Sequence, residues 1–243
     1  MTRLYLLTVT TLAVIAAGVF IAQDHGRDRA PQSASVFASE VPECRDGQML
    51  VQTHLYTSCI DTEAHQPAWV AYVVRRSDWD GRNVLDRNFH TPHGLRSVLL
   101  ESSDFTGSGF DLGHCYGLQF VSASPYAYEV NSMSAVIAQR ATVNRGVMLA
   151  VENRILRYSE TEPVYVLNGQ LWEAEMPERL LPRADEEYRI GSHLFVLLQS
   201  ASVREGYLIP QDTTERNPDL FRMEYEELRE RISKQWVPSI VIE

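Results

Sequence analysis

The residues whose types and spacing could do chemistry are Asp111-Leu112-Gly113-His114, Asn144-Arg145-Gly146 and Glu152. Hydrolysing a phosphodiester needs a base that strips a proton from water, and histidine is the side chain whose unperturbed pKa lies near neutrality. Asp111 is placed to orient that imidazole or to brace its loop, and Gly113 would let the backbone turn tightly beside it. On the helical period, the step from Asn144 to Glu152 is two turns and about 80° of rotation, so both lean toward one edge of a helix. A neutral amide oxygen beside a carboxylate suits a hard cation that keeps most of its water, as magnesium does. Each residue also has an ordinary reading. Asn144 suits a helix N-cap, Glu152 suits an ion pair with Arg145 or Arg154, and a lone histidine is commonly structural.

The elements that must position these groups follow from hydrophobic pattern. Val147, Met148, Val151, Ile155 and Tyr158 recur at helical spacing, which predicts an amphipathic helix from Asn144 to about Tyr158. Met49 to Tyr56 and Ala68 to Val74 are rich in β-branched and aromatic residues and read as strands, as do Pro163 to Leu167 and Ser192 to Leu198. Asp78 to Asn83, centred on Asp80-Gly81, reads as a turn, Ser97 to Gly109 as a loop, and Asn217 to Gln235 as an acidic helix. Helix-like and strand-like segments alternate without a repeat, so a mixed α/β or α+β fold is expected.

Composition bounds the rest. A chain of 243 residues, 44% hydrophobic, can bury one sizeable core. Its formal charge of −10 excludes a protein that merely coats nucleic acid, because such proteins grip phosphates through Lys and Arg. Locally the sign reverses: between Ser132 and Arg157 lie Arg140, Arg145, Arg154 and Arg157 against Glu152 alone. That surplus either attracts phosphate or belongs to a salt-bridged helix. After Arg3, Leu4 to Ala22 carries no charge, which predicts a signal peptide or membrane anchor over residues 1–22. The polar, Pro- and Ser-containing stretch 23–43 reads as a disordered tether, and 44–243 as the domain. The domain is then exported, to the periplasm or the exterior, with the mitochondrial intermembrane space as the alternative. In an oxidising compartment Cys44 and Cys59 could pair and leave Cys115 free. All three could equally be small buried hydrophobes.

Taken together, these motifs resemble the DNA/RNA non-specific endonuclease family, whose members include secreted bacterial nucleases and mitochondrial endonuclease G. Asp111-Leu112-Gly113-His114 is similar to the family's Asp-Arg-Gly-His, and Asn144-Arg145-Gly146 with Glu152 matches its Asn-x-Gly and following glutamate. Pro67-Ala68-Trp69-Val70-Ala71-Tyr72 and Ile209-Pro210-Gln211 resemble two of its strand motifs, and Arg87 falls where a catalytic arginine is expected. The resemblance implies a ββα-metal (His-Me finger) fold, with a central, mostly antiparallel sheet flanked by helices. It further implies nucleic acid as substrate, 5′-phosphate products and one hydrated Mg2+ (or Mn2+). His114 would be the general base, Asn144 the direct metal ligand, Glu152 a ligand through water, Arg87 a stabiliser of transition-state charge and Asp111 a supporting group. Two departures stand out: the family's arginine is Leu112 here, and an asparagine of the family is Ala135. They motivate the alternative of a weakened or inactive domain that only binds. A third reading, a transition-metal site from His90, His93, His114 and Cys115, rests on the His-x-x-His spacing.

Overall fold

The computed structural model describes residues 20–21, 42–45, 47–82, 87–173, 188 and 190–235. The leader and tether expected over 1–43 lie outside them, apart from two short pieces. Among the described residues, ten strands and two full helices organise the fold. The strands are β1 (Phe20–Ile21), β2 (Gln48–Gln52), β3 (Tyr56–Asp61), β4 (Gln66–Val74), β5 (Phe110–His114), β6 (Val136–Arg140), β7 (Val164–Leu171), β8 (His193–Gln199), β9 (Arg204–Pro210) and β10 (Arg222–Met223). The helices are α1 (Leu149–Ser159) and α2 (Tyr225–Gln235). Eight strands form one sheet in the order β1-β2-β3-β4-β7-β8-β9-β10, antiparallel except where β1 pairs with β2, and β5 and β6 form a separate hairpin.

The two faces of the sheet explain its sequence. All of β4 is buried, which is why it reads as an unbroken apolar run rather than an alternation. Its residues still divide by face. Val70, Tyr72 and Val74 join Val166 and Val196 in a core shared with Val147, Val151 and Ile155 of the helical segment. Trp69 and Ala71 join Leu167, Phe195 and Leu197 in a second core closed by Leu228 and Ile232 of α2. The helices therefore sit on opposite faces, and the fold is α+β with a mostly antiparallel sheet flanked by helices. A disulfide joins Cys44 to Cys59, whose Cα atoms are 5.6 Å apart, and ties the start of the domain to β3.

Several boundaries differ from those the sequence suggests. The run from Met49 to Tyr56 is not one strand: β2 ends at Gln52, and Tyr56 begins β3 after a turn held by the Thr53 hydroxyl. The acidic helix starts at Tyr225 rather than Asn217, because Asn217 caps a short 3-10 turn and Arg222–Met223 then pairs with β9.

A two-stranded hairpin is marginal alone, and three buried amides fasten β5-β6 to the main sheet. Gln66 Oε1 accepts from the Ala138 backbone N–H at 2.8 Å. Gln211 accepts from the Arg140 N–H at 2.9 Å and donates to the Ala138 carbonyl at 2.8 Å. Asn168 donates to the Cys115 carbonyl at 2.9 Å, one residue past His114. Backbone groups of β6 that no strand pairs are thus satisfied by side chains of β4 and of the residue after β9.

Candidate active site

β5, β6 and the helical segment that follows form a ββα unit, and its open side is a cleft of about 750 Å³. Arg87, Asp111, His114, Asn144 and Glu152 all line it. The helical segment begins earlier than the sequence suggests, at Ala141, with Arg140 as its N-cap. Asn144 is therefore not the cap. It opens a π-helical turn, Asn144–Met148, before regular α1 resumes at Leu149. The wider i→i+5 turn rotates less per residue than an α-helix, so it reduces the offset of about 80° that a regular helix would leave between Asn144 and Glu152.

His114 ends β5 and stacks against Phe89, with ring centroids 5.0 Å apart. Its Nε2 lies 2.9 Å from Asn131 Oδ1. With an amide oxygen as partner, Nε2 carries the proton and Nδ1 presents the lone pair. Burial pushes the imidazole pKa below the usual histidine value; the Asn131 bond opposes this and the Arg87 charge adds to it. That direction favours the neutral ring, the form able to accept a proton. Asn131 carries no periodic or motif signal. What marked it was only its type, a lone amide among residues that turn out to be buried.

Gly113 is required for a reason other than a tight turn. A Cβ there would lie 2.2 Å from Cδ of the buried Gln139, so the residue is fixed by close approach of a neighbour. Asp111 accepts from Arg145 Nε and Nη2 at 2.8 and 2.7 Å and from Asn144 Nδ2 at 2.9 Å. Burial disfavours its charge, but these donors and the nearby Arg87 outweigh that and hold the carboxyl below the usual range. Arg145 thus supplies the bracing charge missing at Leu112.

Because Asn144 spends Nδ2 on Asp111, its Oδ1, the atom a hard cation prefers, is left without a protein partner among the described residues. Glu152 accepts one bond, from Gln119 Nε2 at 2.8 Å. Its other oxygen lies where a Cβ on residue 117 would crowd it at 3.1 Å, and glycine there makes the room. Neither Arg145 nor Arg154 pairs with it: Arg145 holds Asp111, and Arg154 holds Asp219 at 2.7 Å. Glu152 keeps some exposure to the cleft, yet burial pushes its carboxyl up to about 7, with no cation among the described residues to counter it. A carboxylate desolvated without a counter-charge, lining the same cleft as an amide oxygen without a partner among the described residues, fits a divalent ion that retains water.

The expected basic surface is smaller than the sequence suggests. Of Arg140, Arg145, Arg154 and Arg157, only Arg145 lines the cleft. Arg140 lies over the Phe110 ring and Arg154 is locked to Asp219, so the salt-bridged reading holds for much of this group. Arg87 is exposed and forms no ion pair with a described residue. The transition-metal reading fails on geometry: no group of three or more His, Cys, Asp or Glu suited to a metal occurs among the described residues, and Cys115 is buried with its thiol pushed far upward.

Comparison with known proteins bears on the same residues. Residues 33–234 match the model of the DNA/RNA non-specific endonuclease family. No curated protein matches. Among solved structures, the chain is similar to one described as the EndoG/EndoGI complex, reporting the mechanism of EndoG inhibition. The TM-score is 0.61 at 18% identity, over 75% of this chain and 83% of that chain. At that identity the likeness is one of fold.

Proposed function

This chain belongs to the DNA/RNA non-specific endonuclease family, and on that premise we propose that it hydrolyses phosphodiester bonds of DNA and/or RNA, using His114 as general base and Mg2+ (or Mn2+) as cofactor. The observation that carries the reading is the charge-orphaned Glu152 carboxylate in the same cleft as His114 and the unpartnered Asn144 Oδ1. A hydrated divalent ion, held by Asn144 and through water by Glu152, would neutralise charge on the phosphate and on the departing 3′ oxygen. His114 Nδ1 takes the proton of the attacking water while Asn131 keeps the ring oriented. Asp111 holds the Asn144 amide so that its oxygen faces away from the carboxylate. Arg87, free of ion pairs among described residues, stabilises the charge that accumulates on the phosphate in the transition state. Products end in 5′-phosphates.

The alternative, an inactive domain that only binds, rested on Leu112 and Ala135. Arg145 compensates for the first by bracing Asp111. Ala135 keeps its backbone contribution, accepting from the Cys115 N–H at 2.8 Å. We also propose that the domain works outside the cytoplasm, supported by the Cys44–Cys59 disulfide and by the uncharged Leu4 to Ala22 segment.

The test is degradation of plasmid DNA and of RNA with added Mg2+, with a chelator, and by His114→Ala. Activity should require the metal and fall by about 10²- to 10⁴-fold in the variant. Undiminished activity in a folded His114→Ala protein would remove the base assignment. No activity in the metal-loaded wild type would leave the binder.

A further inference from the structure

The composition of the cleft walls, rather than of the reacting groups, carries a statement about substrate form. Three arginines line the cleft. Arg82 is bonded to Asp80 and Arg145 to Asp111, so Arg87 alone has no ion pair with a described residue. Against this stand the apolar side chains Trp79, Leu118, Leu149 and Leu156, which line the same cleft, together with Phe89, which stacks on His114. Arg145, Leu149, Glu152 and Leu156 fall on one helical face, so the wall and the reacting groups are parts of one surface. Leu149 is 43% exposed, far more than core packing accounts for, whereas Trp79 is fixed by its indole N–H donating to Ser159 at 3.0 Å and by Arg76 over its ring at 4.4 Å.

Duplex nucleic acid presents phosphates and sugars outward and keeps its bases stacked inside. A protein gripping it strongly makes about 6–10 phosphate contacts, and among the described residues of this cleft only one arginine, Arg87, is without an ion pair. An apolar wall beside a duplex backbone would desolvate charge without return. A single strand is different, because its unstacked bases can lie on apolar and aromatic side chains while one or two phosphates meet the reacting groups. We propose that the cleft takes single-stranded or locally unpaired nucleic acid in preference to duplex, with a base next to the scissile phosphate resting on Leu149 and the wall formed with Trp79, Leu118 and Leu156. This rests on the nuclease reading for the position of the phosphate, and on the walls alone for the preference.

Two measurements keep the two readings separable. The first is Mg2+-supported cleavage by the wild type of one oligonucleotide, single-stranded and annealed to its complement. The second is binding of the same labelled molecules to His114→Ala protein in Mg2+, by fluorescence anisotropy. The single strand should be cleaved and bound at least about 10-fold better, with binding that weakens only gently as salt rises. Leu149→Ala, at an exposed position that leaves the core intact, should cost the single strand about 5-fold and the duplex less than about 2-fold. Cleavage of both forms at equal rates, or duplex binding as tight as single-strand binding, would overturn the inference and leave the nuclease assignment standing. Selective single-strand binding with no cleavage by the wild type would remove the nuclease assignment and support the inference as one about binding.

Discussion

Helices α1 and α2 are equally long and cover opposite faces of one sheet, yet their charges are treated in opposite ways. On α2, Glu226, Glu227 and Glu230 are each paired, to Arg204 and Arg229, to Arg231, and to Lys234. On α1, Glu152 has, among the described residues, only the Gln119 amide as a partner and is pushed up to about 7 by burial. Large apolar residues differ as well: Leu228 and Ile232 of α2 are buried, whereas Leu149 of α1 stands exposed on the cleft. α2 is built to be stable in water. The face of α1 that carries Glu152 is incomplete without something that enters the cleft, and incompleteness of that kind marks function better than the number of charged residues does.

The largest expected effect sharpens this contrast. Glu152→Gln should lower nuclease activity by about 10²-fold, within the usual range for groups that orient a metal or its water, while the metal-free protein becomes no less stable. Replacing Glu227 by Gln on α2 should leave activity unchanged, checked by the same assay.

Next in size is the group behind the base. Asn131→Ala should reduce activity by about 10- to 100-fold. Because the Asn131 bond holds the His114 pKa up, its loss should shift the acid limb of the kcat/KM profile to lower pH. An unchanged limb would mean that Asn131 does not act through His114.

The pH dependence of stability separates the helices again. Glu152 has a higher pKa folded than the ordinary 4.5, so the folded state keeps its proton longer than the unfolded state does. Ionisation therefore opposes folding: without metal, this group's cost appears as pH rises above the ordinary carboxylate value and is complete above about 7. The cost is at most about 3 kcal/mol. Chemical denaturation of the metal-free wild type should show it, and Glu152→Gln should flatten the profile over that interval. The smallest effect belongs to α2. Removing Arg231, which is 41% exposed, should cost at most about 1 kcal/mol in urea denaturation.

The same contrast separates what the sequence made legible from what it did not. His114, Asn144, Glu152 and the apolar stripe of the helical segment were readable because chemistry and a local period coincide in them. The amphipathic positions Val147, Met148, Val151 and Ile155 are all buried. Contacts that cross the fold were not readable. Gln66, Asn168 and Gln211 look like polar interruptions of apolar strands, and only the hairpin lying beside them explains why amides occur there. The π turn at Asn144 has no signature that distinguishes it from the start of an ordinary helix. β3 was hidden by its polar alternation, and the C-terminal helix was over-extended because a capped 3-10 turn and an α-helix share the same starting residue types. The sequence offers Glu152 as an ion-pair partner for Arg145, whereas its partner is Asp111 on β5, a contact that no local spacing announces.

The central claim is that the cleft face of α1 is completed by a divalent ion, and the most direct measurement is the thermal midpoint of wild type and Glu152→Gln as Mg2+ is raised with no substrate present. The wild-type midpoint should climb with metal as a ligand of the folded state requires, while the variant stays flat or nearly so. A wild type that does not respond, or a variant that responds equally, would contradict the account.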